Sequence, residues 1–154
     1  MTIKIAPMSS GFTLVELVMV IILIGVLSAL GVGLFAGRSA FSPLLAQQQL
    51  ASSVLLAQQA GLAGNGANAL AVTQAADDFV FSIRDDGTTV QEFRIARAGT
   101  SLSSPGISFP ITFNSNGSPD TSGNTEFTFS GDSTYIVCLS SLGAVYAGAG
   151  ACRS

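Results

Sequence analysis

The stretch GFTLVELVMVIILIGVLSALGVGLFAG, residues 11–37, decides the architecture of this chain. From Leu17 to Gly37 it contains no Asp, Glu, Lys or Arg. At about 1.5 Å per residue those 21 positions make a helix of about 32 Å, enough to cross a hydrocarbon core of about 30 Å. Leu, Val, Ile and Met on every side of it require burial all round, in lipid or in a helical assembly. The run is too long for the apolar region of a cleaved secretory signal, which spans about 7–15 residues. One carboxylate, Glu16, stands near its start. A charge at the centre of a spanning helix costs about 2.5–3.5 kcal/mol on insertion scales, so its presence there needs a reason. Gly25, Gly31 and Gly33 also interrupt the run. Glycine is ordinary in membrane helices, where it opens a smooth face for close helix approach or a place to loosen.

Outside this segment the 154-residue chain has room for one small domain. Charged residues make up 10 % of it, and the formal net charge is −3. Six Lys and Arg are scattered without a basic stripe, so wholesale phosphate neutralisation is not signalled, and a nucleic-acid partner is not expected. There is no histidine, which removes the commonest general base and the commonest metal ligand. Without it no serine triad can be drawn, and we expect no enzyme, no cofactor and no metal. Two cysteines, Cys138 and Cys152, lie in the last 17 residues. An even pair beyond a membrane anchor favours a disulfide in an oxidising compartment. Closing it makes a 15-residue ring, which contributes about 3 kcal/mol on the loop-entropy model.

The apolar span ends at Arg38-Ser39, and Ser42-Pro43 reads as an N-cap followed by a first-turn proline. PLLAQQQLASSVLLAQQAGLAG, from Pro43, is amphipathic: Leu44, Ala51, Leu55 and Leu62 share a face, with Leu50 and Val54 beside them. It should stop at Gly61 or Gly64. Beyond Asp77 the period becomes two. Phe79, Phe81 and Ile83 alternate with Val80, Ser82 and Arg84; DDGT (85–88) is a turn, and VQEFRIAR returns as the second strand of a hairpin. ISFPITF is a further strand whose Pro110 belongs at an edge or bulge, and TEFTF and TYIVCL flank a turn at Gly131-Asp132. The sum is α+β: one long N-terminal helix, or two nearly collinear ones, transmembrane in the first half and packed on one antiparallel sheet of four to six strands. The domains expected are a lead at 1–11, a membrane helix at 12–37, its amphipathic continuation at 38–66 and a sheet domain at 77–154 with a C-terminal disulfide loop.

GFTLVELVMVIILIGVLSA, Gly11 to Ala29, closely resembles the signal of type IV pilins and type II secretion pseudopilins. That resemblance implies cleavage after Gly11 by a membrane prepilin peptidase and N-methylation of the new terminus, Phe12. It also implies an assembly role for Glu16, which would face the free amine of a neighbouring Phe12 in a helical filament. The leader carries a single Lys, Lys4, and Gly33 stands where many major pilins carry a helix-kinking proline. Residues 35–59, FAGRSAFSPLLAQQQLASSVLLAQQ, and the tail CLSSLGAVYAGAGAC are similar to minor pilins of the mannose-sensitive haemagglutinin (MSHA) type.

The resemblance implies a pilin-like fold and a single-pass inner-membrane protein with a periplasmic C-terminal domain. This would pass into a pilus used in surface attachment, its partners being the peptidase, other pilins and the inner-membrane assembly platform. Two rivals remain. One is a type II secretion pseudopilin that drives protein export; the other is a DNA-uptake minor pilin, with Arg84, Arg94 and Arg97 clustered on the sheet. DDGT and DTSGN (120–124) have oxygens suited to calcium, but turn chemistry explains both more simply.

Overall fold

The computed structural model describes residues 12–36, 38–148 and Cys152, so the leader and Gly11 lie outside the described residues. It divides into two units, one up to Gly37 and one from Arg38. The first holds a single helix, α1 (Leu14–Ala36), whose backbone stays helical through Gly25, Gly31 and Gly33. Its window Leu14–Gly31 has a mean hydropathy of 2.7, and none of it is buried within the protein. With so much apolar area uncovered, at roughly 25 cal/mol per Å², α1 is stable only in lipid or against other helices.

Among its described residues the second unit carries α2 (Arg38–Leu62) and eight strands: β1 (Ala69–Gln74), β2 (Asp78–Asp85), β3 (Thr88–Ala96), β4 (Ser101–Ser103), β5 (Ile111–Thr112), β6 (Thr125–Ser130), β7 (Thr134–Leu139) and β8 (Val145–Gly148). They form two four-stranded sheets, ordered β3-β2-β1-β5 and β4-β6-β7-β8, where the sequence suggested one. All named pairings are antiparallel. The expected hairpins are present. Asp85 pairs with Thr88 across Asp86-Gly87, both at positive φ, which is the two-residue turn whose twist matches that of the flanking strands. Ser130 pairs with Thr134 around Gly131-Asp132.

Four boundaries differ from the sequence reading, each for a physical reason. The sheet domain begins at Ala69 rather than 77, because ALAVTQ pairs along its whole length with β2, from Ala69 opposite Arg84 to Gln74 opposite Phe79. Its buried Leu70, Ala71 and Val72 show no two-residue alternation, so the period-two signal that marks a half-buried strand is missing there. ISFPITF contributes only Ile111–Thr112, directly after Pro110, and β5 lies at a sheet edge. Next, α2 ends at Leu62, at the expected Gly61–Gly64 stop and four residues short of the 38–66 segment. Asn65 N–H bonds to Ala60 C=O and Gly64 N–H to Gly61 C=O around Gly64 at φ 69°, the double closure that terminates a helix. Finally, Ser42 is no N-cap. α2 starts four residues earlier, Pro43 sits inside it, and buried Ser42 places its Oγ 2.7 Å from the carbonyls of both Ala96 and Arg97.

The face that α2 buries is also rotated from the expected one. Ala46, Leu50, Ser53, Val54, Ala57 and Gly61 are buried, whereas Leu55 and Leu62 are exposed along with Phe41 and Leu45. The small residues explain this: they let the helix come close. At Gly61 a Cβ would fall against the carbonyl oxygens of Phe113 and Asn114, both backbone atoms that cannot swing away. Gly61→Ala is therefore expected to destabilise this unit by about 1–3 kcal/mol, read as a lowered denaturation midpoint.

The core lies between α2 and the two sheets. Leu50 and Val54 meet Phe79 and Phe81 of one sheet and Phe127, Phe129, Val137 and Leu139 of the other. Phe79 and Phe129 join the sheets edge to face at 5.5 Å. The two sheets are further tied where Leu102 N–H donates to Gln74 Oε1 at 2.7 Å. β6 shows the cleanest sequence-to-structure relation, with Thr125, Phe127 and Phe129 buried and their neighbours half-buried.

Candidate functional site

The N-terminal motif and the C-terminal loop hold the residues that the sequence singled out. At the start of α1, Thr13 and Glu16 cap the helix reciprocally. Glu16 N–H donates to Thr13 Oγ1 at 3.2 Å, while Thr13 N–H and its hydroxyl both reach Glu16 Oε2 at 3.3 Å. This is a capping box, Thr-x-x-Glu, and it satisfies backbone donors that the first turn would otherwise leave bare. The carboxylate also lies at the positive end of the helix dipole. Phe12 stands exposed immediately before it. The sequence reading assigned Glu16 an intermolecular role and missed this local one, although the spacing of Thr13 and Glu16 was the signal for it.

The other end is covalently closed. Cys138, on β7, is joined to Cys152 by a disulfide with 5.5 Å between the Cα atoms. The carboxylate of Glu126, which lies opposite Cys138 in the β6–β7 register, accepts the Cys152 N–H at 3.0 Å through Oε2. One glutamate and one disulfide thus bring the tail back over the same strand pair.

α2 holds the loops at this end through its glutamines. Gln58 Nε2 donates to Gly117 C=O and to Gly143 C=O, both at 2.9 Å, joining the 114–118 loop to the β7–β8 turn. Gln47 Nε2 donates to Ile136 C=O at 2.9 Å. Gly143, at φ 91°, is packed so closely that a Cβ would run into the Gly117 carbonyl. Gln58→Ala removes both bonds and leaves two carbonyls without that donor. The expected loss is about 1–3 kcal/mol, together with faster amide hydrogen exchange at Gly117 and Gly143.

The three arginines do not form one basic site. Arg97 is spent internally: its Nη1 donates to Ala75 C=O at 2.7 Å, its Nε to Thr100 C=O at 3.0 Å, and its guanidinium lies 5.7 Å from the Phe79 ring centre. Arg94 pairs with Glu92 at 2.7 Å. Arg84 sits opposite Thr89, four positions along β2 from Val80, which faces Arg94. The two acidic turns are likewise built as turns. Asp86 and Gly87 supply the positive-φ pair, and Asp120 Oδ1 accepts the Thr112 N–H at 2.9 Å. Among the described residues no group of three or more His, Cys, Asp or Glu is arranged to hold a metal.

Residues 7–32 match the prokaryotic N-terminal methylation motif. Two crystal forms of the type IV minor pilin FimU from Pseudomonas aeruginosa share the fold. One aligns with a TM-score of 0.54 at 13 % identity, over 69 % of this chain and 87 % of that one. The other aligns with a TM-score of 0.52 at 11 % identity, over 68 % and 91 %. No curated protein matches the sequence. The chain is type IV pilin-like, a methylation-motif helix ahead of a domain with the pilin fold.

Proposed function

We propose that the chain is a minor type IV pilin of the MSHA type, cut after Gly11, methylated at Phe12 and incorporated into a pilus through its N-terminal helix. The observation that carries this reading is the methylation motif at 7–32 joined to a domain with the fold of a minor pilin. The inner membrane would hold α1 before assembly, with the domain from Arg38 in the periplasm. In the filament, α1 would exchange lipid for the helices of other pilins at little cost, since both are apolar. The α2 residues left outward, Phe41, Leu45, Leu55 and Leu62, support the same use of the helix beyond the membrane. Residues 35–59 are what favour the MSHA type over a secretion pseudopilin.

Glu16 fits a double role. Its cap uses Oε2, and a neighbour's Phe12 ammonium would complete the neutralisation that burial in a filament demands. Removal of Lys4 with the leader leaves five basic against nine acidic side chains. That balance and the dispersed arginines speak for protein and surface contacts and against DNA.

Mass spectrometry of the membrane-extracted protein tests the reading. The expected product starts at Phe12 and carries one methyl group on its amine, and it is made only in the presence of a prepilin peptidase. Retention of residues 1–11, or an unmodified Phe12, contradicts it. Loss of piliation on deletion, with protein secretion unchanged, would separate pilus from secretion pseudopilus.

A further inference from the structure

β3 has a strand neighbour on one side only among the described residues, at the edge of the sheet β3-β2-β1-β5. The edge is regular over Gln91–Ala96, with the Ala96 carbonyl at its end already accepting a hydrogen bond from the Ser42 hydroxyl of α2. Ile83 pairs with Gln91 and Arg84 with Thr89, so Val90 is an extra residue that ends the regular ladder. An edge built to refuse partners carries Lys, Pro or a charge on its core-facing positions. Gln91–Ala96 has none of these: its core-facing members are Gln91, Phe93 and Ile95. Its charges, Glu92 and Arg94, are of opposite sign, two positions apart and outward-facing, with side chains 38 % and 60 % exposed.

We propose that this edge pairs antiparallel with the same edge of a second copy, about a two-fold axis at Phe93. In a two-fold antiparallel pair, opposed residues share a face and their numbers have a constant sum. With the axis at Phe93, Glu92 meets Arg94 of the second copy and Arg94 meets its Glu92, while Gln91 meets Ile95. An axis at Glu92 or at Arg94 sets like charges together. One at Gln91 faces Glu92 with Val90 and Arg94 with Thr88. Charge complementarity therefore selects a single register. The in-chain Glu92–Arg94 pair is exposed and contributes little by itself, so reorganising it across the strands costs little.

The same geometry says where the second copy stands. The axis runs along the normal of the sheet β3-β2-β1-β5, and α2 lies against that sheet, so the two α2 helices run in opposite senses. Their Arg38 ends leave the pair in opposite directions, as suits copies presented by facing surfaces rather than side by side in one membrane. So short an edge makes a weak contact singly, and display of many copies raises it by effective concentration.

The test uses the full chain in detergent, where either orientation is free to form. Glu92→Cys and Arg94→Cys chains are mixed and oxidised. Cross-linked dimer is expected at about ten times the yield of either variant alone or of Asp132→Cys, an exposed control in the β6–β7 turn. Dimer fraction by native mass spectrometry should fall about tenfold in Glu92→Arg and in Arg94→Glu, and return in the double exchange. Equal yields from mixed and single cysteine chains overturn the proposal. So does a dimer fraction that is unmoved by reversal, or absent throughout. A persisting Cys138–Cys152 bond shows that each variant has folded.

Discussion

Replacing Glu16 with Gln is expected to leave membrane insertion intact and to reduce incorporation into filaments about a hundredfold, and replacing it with Ala to reduce it at least as much. The two substitutions separate the roles that Glu16 holds. A glutamine oxygen still accepts from Thr13 N–H and Oγ1, so Gln keeps the capping box of α1 and loses only the charge. Alanine loses both, and a lost cap by itself costs about 0.5–2 kcal/mol. Leaving a neighbour's Phe12 ammonium unpaired within a bundle costs more, about 3–5 kcal/mol, and the lower end of that range sets the hundredfold scale as a minimum. Should Glu16→Gln chains incorporate normally while Glu16→Ala chains do not, Glu16 serves the cap and the intermolecular pair is wrong. Counting variant and native chains in purified filaments by quantitative mass spectrometry reads the result directly.

Cys138→Ala and Cys152→Ala, singly or together, are each expected to cost the domain about 3 kcal/mol and lower its Tm by roughly 10–15 °C. The reason lies in what the bond closes. Its ends are 14 positions apart, and the enclosed segment contains β8 and the turn that Gln58 grips. Without the bond, the hydrogen bond from the Cys152 N–H to Glu126 is left to hold Cys152 to the β6–β7 pair. The double variant should be no worse than either single one, because one linkage is lost in all three. Differential scanning calorimetry of oxidised and variant chains checks this, and a shift below about 3 °C would show that the ring contributes nothing of the kind.

The parts of the fold that were legible in the sequence are those governed by local chemistry. An uncharged run of membrane-spanning length can only be a buried or lipid-facing helix, and α1 is such a helix. Alternation in FVFSIR put Phe79, Phe81 and Ile83 in the core, where they are. Asp86-Gly87 closed the hairpin because few other pairs tolerate two positive φ angles. What was misread depended on distant neighbours. The leucines of α2 look like its buried face by hydrophobicity, yet Phe113 and Asn114 approach so closely that the side bearing Gly61 and Ala57 turns inward. Ser42 resembles a cap until carbonyls from Ala96 and Arg97, more than fifty residues away, come to its hydroxyl.

The sequence by itself determined the apolar helix long enough to cross a membrane, the N-terminal methylation motif, the pairing of the two cysteines and the strand-rich character of the domain. Each follows from residue type and spacing along the chain, where the interacting groups are near neighbours or chemically unique. Only the tertiary structure decided that the described residues form two sheets rather than one, which face of α2 stays exposed, that Arg84, Arg94 and Arg97 are dispersed, and that β3 lies at a sheet edge. Those are outcomes of long-range packing. The same apolar residue is core or surface according to what arrives opposite it, and nothing in its immediate sequence encodes that arrival.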